Sequence, residues 1–164
     1  MSDQLRSILL GTAGLSVAAV IALLLTLLRG GVEASRQELR MAVRLAFITT
    51  LVQAGHFAEE LATGFHRRFP ELLGLSPWSL RFFVSFNLVW LAVWGLSLWG
   101  LAARRRIALF PLWFLGIGCV VNGLAHPALS VRTGGYFPGL VTSPLVGALG
   151  ILLLRRLGLI TRLR

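Results

Sequence analysis

Residues 79–106, SLRFFVSFNLVWLAVWGLSLWGLAARRR, decide the fold class. Between Arg81 and Arg104 stand 22 residues without a charge. At 1.5 Å of rise per residue, a helix of that length crosses a hydrocarbon core about 30 Å thick. Arg104, Arg105 and Arg106 then stop it at the headgroups, and Asn87 is the one amide side chain inside the run. The reading is a transmembrane helix from about Ser79 to Ala103.

The rest of the chain follows the same pattern. Of 164 residues, 56% are hydrophobic and 13% charged, with a mean hydropathy of +0.80. A water-soluble domain carries roughly 25% charged residues, so a soluble fold is excluded. The first apolar run, Ile8 to Leu28, has 21 uncharged residues. It is too long for a signal-peptide core and reads as a retained anchor. Gly14, Ala18 and Ala22 give it a small-residue stripe suited to close helix packing. A second span runs from about Glu38 to Gly64, with Arg40 and Arg44 at its start. The fourth, Ile107 to His126, is expected to end at Pro127, because a residue before proline avoids the helical region. The fifth, Pro138 to Leu154, opens on proline and closes on Arg155 and Arg156, with Gly139, Ser143 and Gly147 as its packing face. The prediction is an all-α integral membrane bundle of five transmembrane helices, a four-helix core plus an N-terminal anchor. Residues 1–38 form the anchor and its connection, 39–156 the membrane domain and 157–164 a basic tail.

The formal charge of +10 points to nucleic acid only in a soluble protein. Here the charge lies at the edges of apolar runs, where it orients helices and meets anionic lipids, so nucleic acid is set aside. Eleven arginines fall on one side of the predicted spans and five on the other. The positive-inside rule makes the eleven cytoplasmic, with the N-terminus out and the C-terminus in. Exclusive use of arginine over lysine is associated with GC-rich bacterial coding, which places the chain in a bacterial inner membrane. Cys119 is the only cysteine, so no intrachain disulfide forms. It reads as a small packing residue.

The second span ends in Gly55-His56-Phe57-Ala58-Glu59-Glu60. Ionisable side chains in a bilayer cost several kcal/mol unless paired or solvated, and they persist where something uses them. On a helix His56 and Glu60 share a face, with Glu59 beside them. Counting upward from the cytoplasmic arginines puts His56 at about 18 Å and Glu60 at about 24 Å. The same count puts Asn87 at about 25 Å, Asn122 and His126 at about 24 and 30 Å, and Thr142 and Pro138 at roughly 20 and 25 Å. These groups agree in depth, in the outer half of the membrane, and Asn122 and His126 share a helix face.

His56-Phe57-Ala58-Glu59-Glu60, the later Asn122-Gly123-Leu124-Ala125-His126-Pro127, and Tyr136-Phe137-Pro138-Gly139 together resemble the His-x-x-Glu-Glu membrane-protein family. That family also carries a second histidine and a Tyr-x-Pro-Gly motif, and no reaction is assigned to it. The resemblance covers roughly residues 40–155 and implies a membrane-embedded, metal-dependent enzyme.

The residue types support that chemistry independently. His56 and Glu60 at i, i+4 resemble an inverted zinc motif with its last ligand changed to carboxylate. His56, Glu60 and His126 would then bind a divalent metal, zinc first, while iron or manganese accept the same ligands. Glu59 would be the general base for the activated water, and Asn122, Asn87 and Tyr136 would orient ligands or polarise a substrate carbonyl. The expected substrate is a membrane lipid or other lipophilic molecule, and the expected reaction hydrolysis. Three alternatives stand beside this. The cluster can be a structural ion pair between helices. It can be a metal-free acid/base isomerase of lipophilic substrates, as small sterol isomerases of the emopamil-binding type show, although no motif matches them. It can be the proton carrier of an ion-coupled protein, against which the lack of an internal repeat argues. Glutamate-type CAAX proteases place an arginine where this chain has Gly64. His66, beside Arg67 and Arg68, reads as a headgroup contact. Trp78, Trp90, Trp94, Trp99 and Trp113 read as interfacial or lipid-facing bulk. The Tyr136–Gly139 segment is either a turn with Pro138 at the first helical position or part of the site.

Overall fold

The computed structural model describes residues 2–163, and among them all regular structure is helical apart from one pair of short strands. The order is α1 (Asp3–Gly11), α2 (Ala13–Leu28), β1 (Arg29–Val32), α3 (Arg36–Thr63), α4 (Phe65–Leu72), α5 (Leu80–Ala102), a 3-10 turn (Arg106–Ala108), α6 (Leu109–Thr133), α7 (Ser143–Ile160) and β2 (Thr161–Leu163). Four helices, α3, α5, α6 with its leading turn, and α7, are long and apolar enough to cross a membrane. A fifth span exists only if α1 and α2 are taken together, and they are bent by 47° at their junction.

That bend falls within the run Ile8 to Leu28 expected as one anchor span. The Thr12 hydroxyl donates to the Ile8 carbonyl at 2.7 Å, a back-bond that bends helices. Beside it, Gly11 sits so close to the Trp78 indole that a β-carbon there would overlap the ring. The Ser7 hydroxyl donates to the Ser76 carbonyl at 2.5 Å. Thus α1 is pulled sideways over the connection between α4 and α5.

Sequence-encoded caps set the other boundaries. Ser35 and Glu38 form a reciprocal capping box at the start of α3, and Gly64 ends that helix at φ 79°. Ser79 caps α5 through the Phe82 amide. Two expected boundaries move. Pro127 lies inside α6, which continues to Thr133 and stops at Gly134 with φ 68°. The proline removes one backbone bond, and the tethering of His126 described below holds the helix across it. The last helix begins at Ser143, not at Pro138, and carries Pro144 in its first turn. Gly139 is therefore in the loop and does not belong to a packing face of α7.

In lipid, apolar helices gain nothing from leaving water, so they associate by close packing. α6 is the central helix, and α2, α5 and α7 all pack on it. The contact with α7 is the tightest. A β-carbon on Gly123 would lie 2.6 Å from the Gly147 Cα, and one on Gly150 would lie 2.7 Å from the Cys119 Cβ. Ala18 and Ala22 of α2 are buried, while Gly14 of the same stripe has nothing within 4 Å of a would-be β-carbon. At the arginine-rich end, Arg106 donates to the Thr26 and Leu27 carbonyls and Arg29 to those of Gly158 and Thr161. These are last-turn carbonyls that lack partners within their own helices. β1 pairs antiparallel with β2 at the same end.

Candidate metal centre

His56 and Glu60 project from the last two turns of α3 towards His126 on α6. All three are buried, at 0%, 6% and 2% exposure. One carboxylate oxygen, Glu60 Oε1, stands 3.7 Å from His56 Nε2 and 3.4 Å from His126 Nε2. The two rings meet edge to face with centroids 4.7 Å apart. One ligand atom from each residue lies within 4.8 Å of the others, so the group could hold a metal ion.

The outer nitrogens of both rings fix where the lone pairs point. His126 Nδ1 lies 2.5 Å from the Pro138 carbonyl, which only accepts, so this nitrogen carries the hydrogen. His56 Nδ1 lies 2.6 Å from the Thr142 hydroxyl, whose own hydrogen is donated to Glu59. Thr142 must therefore accept from His56, and this Nδ1 also carries the hydrogen. In its uncharged form each ring then presents a bare Nε2 towards Glu60 Oε1, where a cation would satisfy all three atoms, and His56 Nε2 is buried with no hydrogen-bond partner.

Distances separate a proton from a metal ion in that role. A charge-assisted N–H to carboxylate bond is about 2.7–2.9 Å long. Ligands of a tetrahedral zinc, bound at about 2.0–2.1 Å, lie roughly 3.3 Å from one another. The observed 3.4 and 3.7 Å are close to the second spacing and too long for the first. Protein carbonyl and hydroxyl acceptors behind the histidines are also the usual outer support of a metal site.

Glu59 has a different set of neighbours. Its Oε1 accepts from the Tyr136 hydroxyl at 2.7 Å and the Val141 amide at 2.9 Å. Its Oε2 accepts from the Thr142 amide at 2.9 Å and the Thr142 hydroxyl at 2.6 Å. These donors fill the carboxylate on the Nδ1 side of His56, away from Nε2, so Glu59 does not stand where a base for the activated water would. Tyr136 likewise touches Glu59 and not the three-residue group. Burial and the Glu59 carboxylate both raise the Tyr136 hydroxyl above its ordinary range, which keeps it a donor.

The segment Tyr136–Gly139 is thus more than a turn into α7. Tyr136 ties to Glu59, Pro138 supplies the carbonyl for His126, and Gly139 takes φ 87° directly against the rings. A β-carbon at Gly139 would fall 2.5 Å from His126 Cε1 and 2.9 Å from His56 Cε1.

A cavity of about 300 Å³ adjoins the centre, with Glu60 and His126 in its wall. Thr12, Gln53, Asn87 and Asn122 also line it, and the remainder is aromatic and aliphatic. Asn87 donates to the Phe83 carbonyl at 2.9 Å, which leaves its oxygen free. Trp78, Trp90 and Trp94 belong to this wall, and Trp78, Trp94 and Trp113 are buried; of the five tryptophans only Trp99 is the exposed bulk expected. His66 is half-buried and packs against Phe83, and burial first and Arg67 second lower its proton affinity.

The family model described as proteins of unknown function with an HXXEE motif matches residues 7–153. The chain belongs to this family. The match begins in α1, so in this HXXEE protein the family region takes in the bent N-terminal pair as well as the four long helices. No curated protein and no solved structure matches the chain.

Of the predicted site residues, His56, Glu60 and His126 meet directly, and Asn87 and Asn122 share their cavity. Glu59 and Tyr136 form the adjoining latch. Thr142, the hinge between the two, carries no role in the sequence reading, because it falls inside the expected fifth helix and not in a loop. Gln53 carries no sequence signal beyond its polarity in an apolar run.

Proposed function

We propose that this HXXEE protein is a membrane-embedded, metal-dependent hydrolase of a lipophilic substrate. The observation that carries the reading is the convergence of His56 Nε2, Glu60 Oε1 and His126 Nε2 beside an aromatic and aliphatic cavity. Two imidazoles and one carboxylate suit a divalent ion, zinc first with iron or manganese as alternatives, and leave a coordination position open. When bound, such an ion supplies Lewis-acid polarisation of a carbonyl and activation of water. The chain's own residues do the rest. Thr142 and Pro138 hold the two imidazoles in the tautomer that offers Nε2. Glu60 points Oε1 between the two Nε2 atoms, as a ligand would, and its second oxygen would be left to take and pass a proton at the cavity wall. Asn122 and the free oxygen of Asn87 orient polar atoms of the substrate. The aromatic wall excludes water.

The arginine distribution supports an N-out, C-in arrangement in a bacterial inner membrane, with the centre in the outer half of the bilayer. One second reading shares the geometry: a carboxylate between two imidazoles also passes protons without a metal, which is isomerase chemistry.

Elemental analysis separates the two. Protein purified without chelators should hold close to one zinc or iron per chain, and His56→Ala and His126→Ala should each lose it. A metal-free wild type would transfer the weight to proton transfer. The membrane-lipid profile of a deletion strain should be restored by the wild type and not by His126→Ala. Full restoration by that variant would refute both catalytic readings.

A further inference from the structure

The cavity beside the centre lies between the α1–α2 pair, α5 and α6. Leu10, Gly14 and Leu15 line it from the α1–α2 pair, and Phe82, Phe86 and Trp90 line it from α5. Both elements pack on α6, yet α2 and α5 barely touch one another. The outer end is closed. There α1 crosses over, with Gly11 against the Trp78 indole and Ser7 bonded to the Ser76 carbonyl. Beneath it Phe65 and Phe69 stack at 5.0 Å and both pack on Trp78. The bend at Thr12 therefore has a consequence for access: it covers the cavity from the water side and leaves the gap between α2 and α5 facing lipid chains. Gly14, exposed and with open space where its β-carbon would be, stands at the rim of that gap.

We propose that a single-chain lipid reaches the centre sideways from the bilayer, between α2 and α5. Its chain lies along Phe82, Phe86 and Trp90, and its carbonyl end meets Glu60 and His126. The placement of the carbonyl end rests on the hydrolase reading; the chain site and its lateral route do not. The volume favours a slender ligand: about 300 Å³ is at the bottom of the roughly 300–1,000 Å³ range of small-molecule pockets, which suits one chain better than the two of a bilayer phospholipid. Polar side chains are few: Thr12, Gln53, Asn87 and Asn122 join Glu60 and His126 in the lining, which is otherwise mostly hydrocarbon and rings. A water-soluble substrate would need an opening where α1 and Trp78 form the roof.

The test uses the full chain in lipid nanodiscs and a lysophosphatidylcholine with a photoreactive diazirine in its one acyl chain. Crosslinks should map to Phe82, Phe86 and neighbouring cavity residues. Excess unlabelled lysophosphatidylcholine should displace them, and two-chain phosphatidylcholine should not. Gly14→Trp should lower that labelling by about tenfold. Gly95→Trp, an equally open and exposed glycine on α5 outside the cavity, should not change it. The competition on wild type needs no variant and stands even if Gly14→Trp fails to fold. Labelling spread over outward-facing residues such as Leu88 and Leu96, or indifferent to single-chain competitor, would overturn the proposal. Cavity labelling that persists in His126→Ala is expected, so failure of the metal reading leaves a separate signature from failure of the lipid route.

Discussion

Gly139→Ala should dismantle the centre without touching any ligand. Gly139 has φ 87°, and its missing side chain makes room for both imidazoles, with a would-be β-carbon 2.5 Å from His126 Cε1, 2.6 Å from its Nδ1 and 2.9 Å from His56 Cε1. Two costs add. A left-handed backbone at a residue with a β-carbon costs roughly 1–2 kcal/mol. Overpacking two buried rings adds about 1–3 kcal/mol. Gly134 isolates the first cost, since it has φ 68° and nothing within 4 Å of its β-carbon position, and Gly135 carries neither. Alanine at 135 should therefore be neutral, and at 134 it should destabilise the protein by about 1–2 kcal/mol with metal binding intact. At 139 it should also weaken metal binding by about ten- to a hundredfold, because the rings can relieve the overlap only by leaving their positions. Thermal unfolding in detergent and metal titration against a competing chelator read the two effects separately. Equal behaviour of the 134 and 139 variants would refute the contact between the loop and the histidines.

Glu59→Gln should loosen the loop by about 1–3 kcal/mol, since an amide cannot accept from all four donors, while Tyr136→Phe removes one donor and should cost about 1 kcal/mol. Hydrogen exchange of residues 136–142 measures this, and a loop unchanged by Glu59→Gln would remove the latch. The same variant should weaken metal binding by about 10–100-fold while leaving it detectable, as expected for an outer support; complete loss would make Glu59 a ligand. For sidedness, single-cysteine variants at the exposed positions 67 and 105, in a background where Cys119 is replaced, should label from outside the cell at 67 only. Labelling at 105 from outside would invert the bundle.

The helices were legible because the bilayer forces them to be. Uncharged runs of spanning length with arginines at their ends leave few choices, and caps such as Ser35 with Glu38 and Gly64 sharpen the ends. The three-residue group was legible from helical spacing and depth, since His56, Glu60 and His126 each had few other reasons to be buried in lipid. What failed were features set by tertiary contact. Pro127 marks a local preference that the tether from His126 to Pro138 overrides. The bend at Thr12 depends on Trp78, 66 residues later, and no window of sequence contains both. The loop before α7 read as helix because Pro138 is a good first helical residue and Thr142 a neutral one.

The neighbouring carboxylates of the motif serve opposite ends of the same imidazole. Successive residues on a helix point about 100° apart, and here Glu59 and Glu60 turn to different partners. Glu60, four residues from His56, shares its face and meets Nε2. Glu59, three residues from His56 and turned to the α6–α7 loop, reaches Nδ1 through the Thr142 hydroxyl. The His-x-x-Glu-Glu spacing thus provides two of the three residues that could hold a metal, and the support behind the imidazole, within five residues of one helix. The second histidine needs no such carboxylate, because the Pro138 carbonyl in the loop that Glu59 anchors does the same for His126. Losing Glu59 therefore disturbs both imidazoles through a single loop, which is why its substitution should affect metal affinity without contacting the metal.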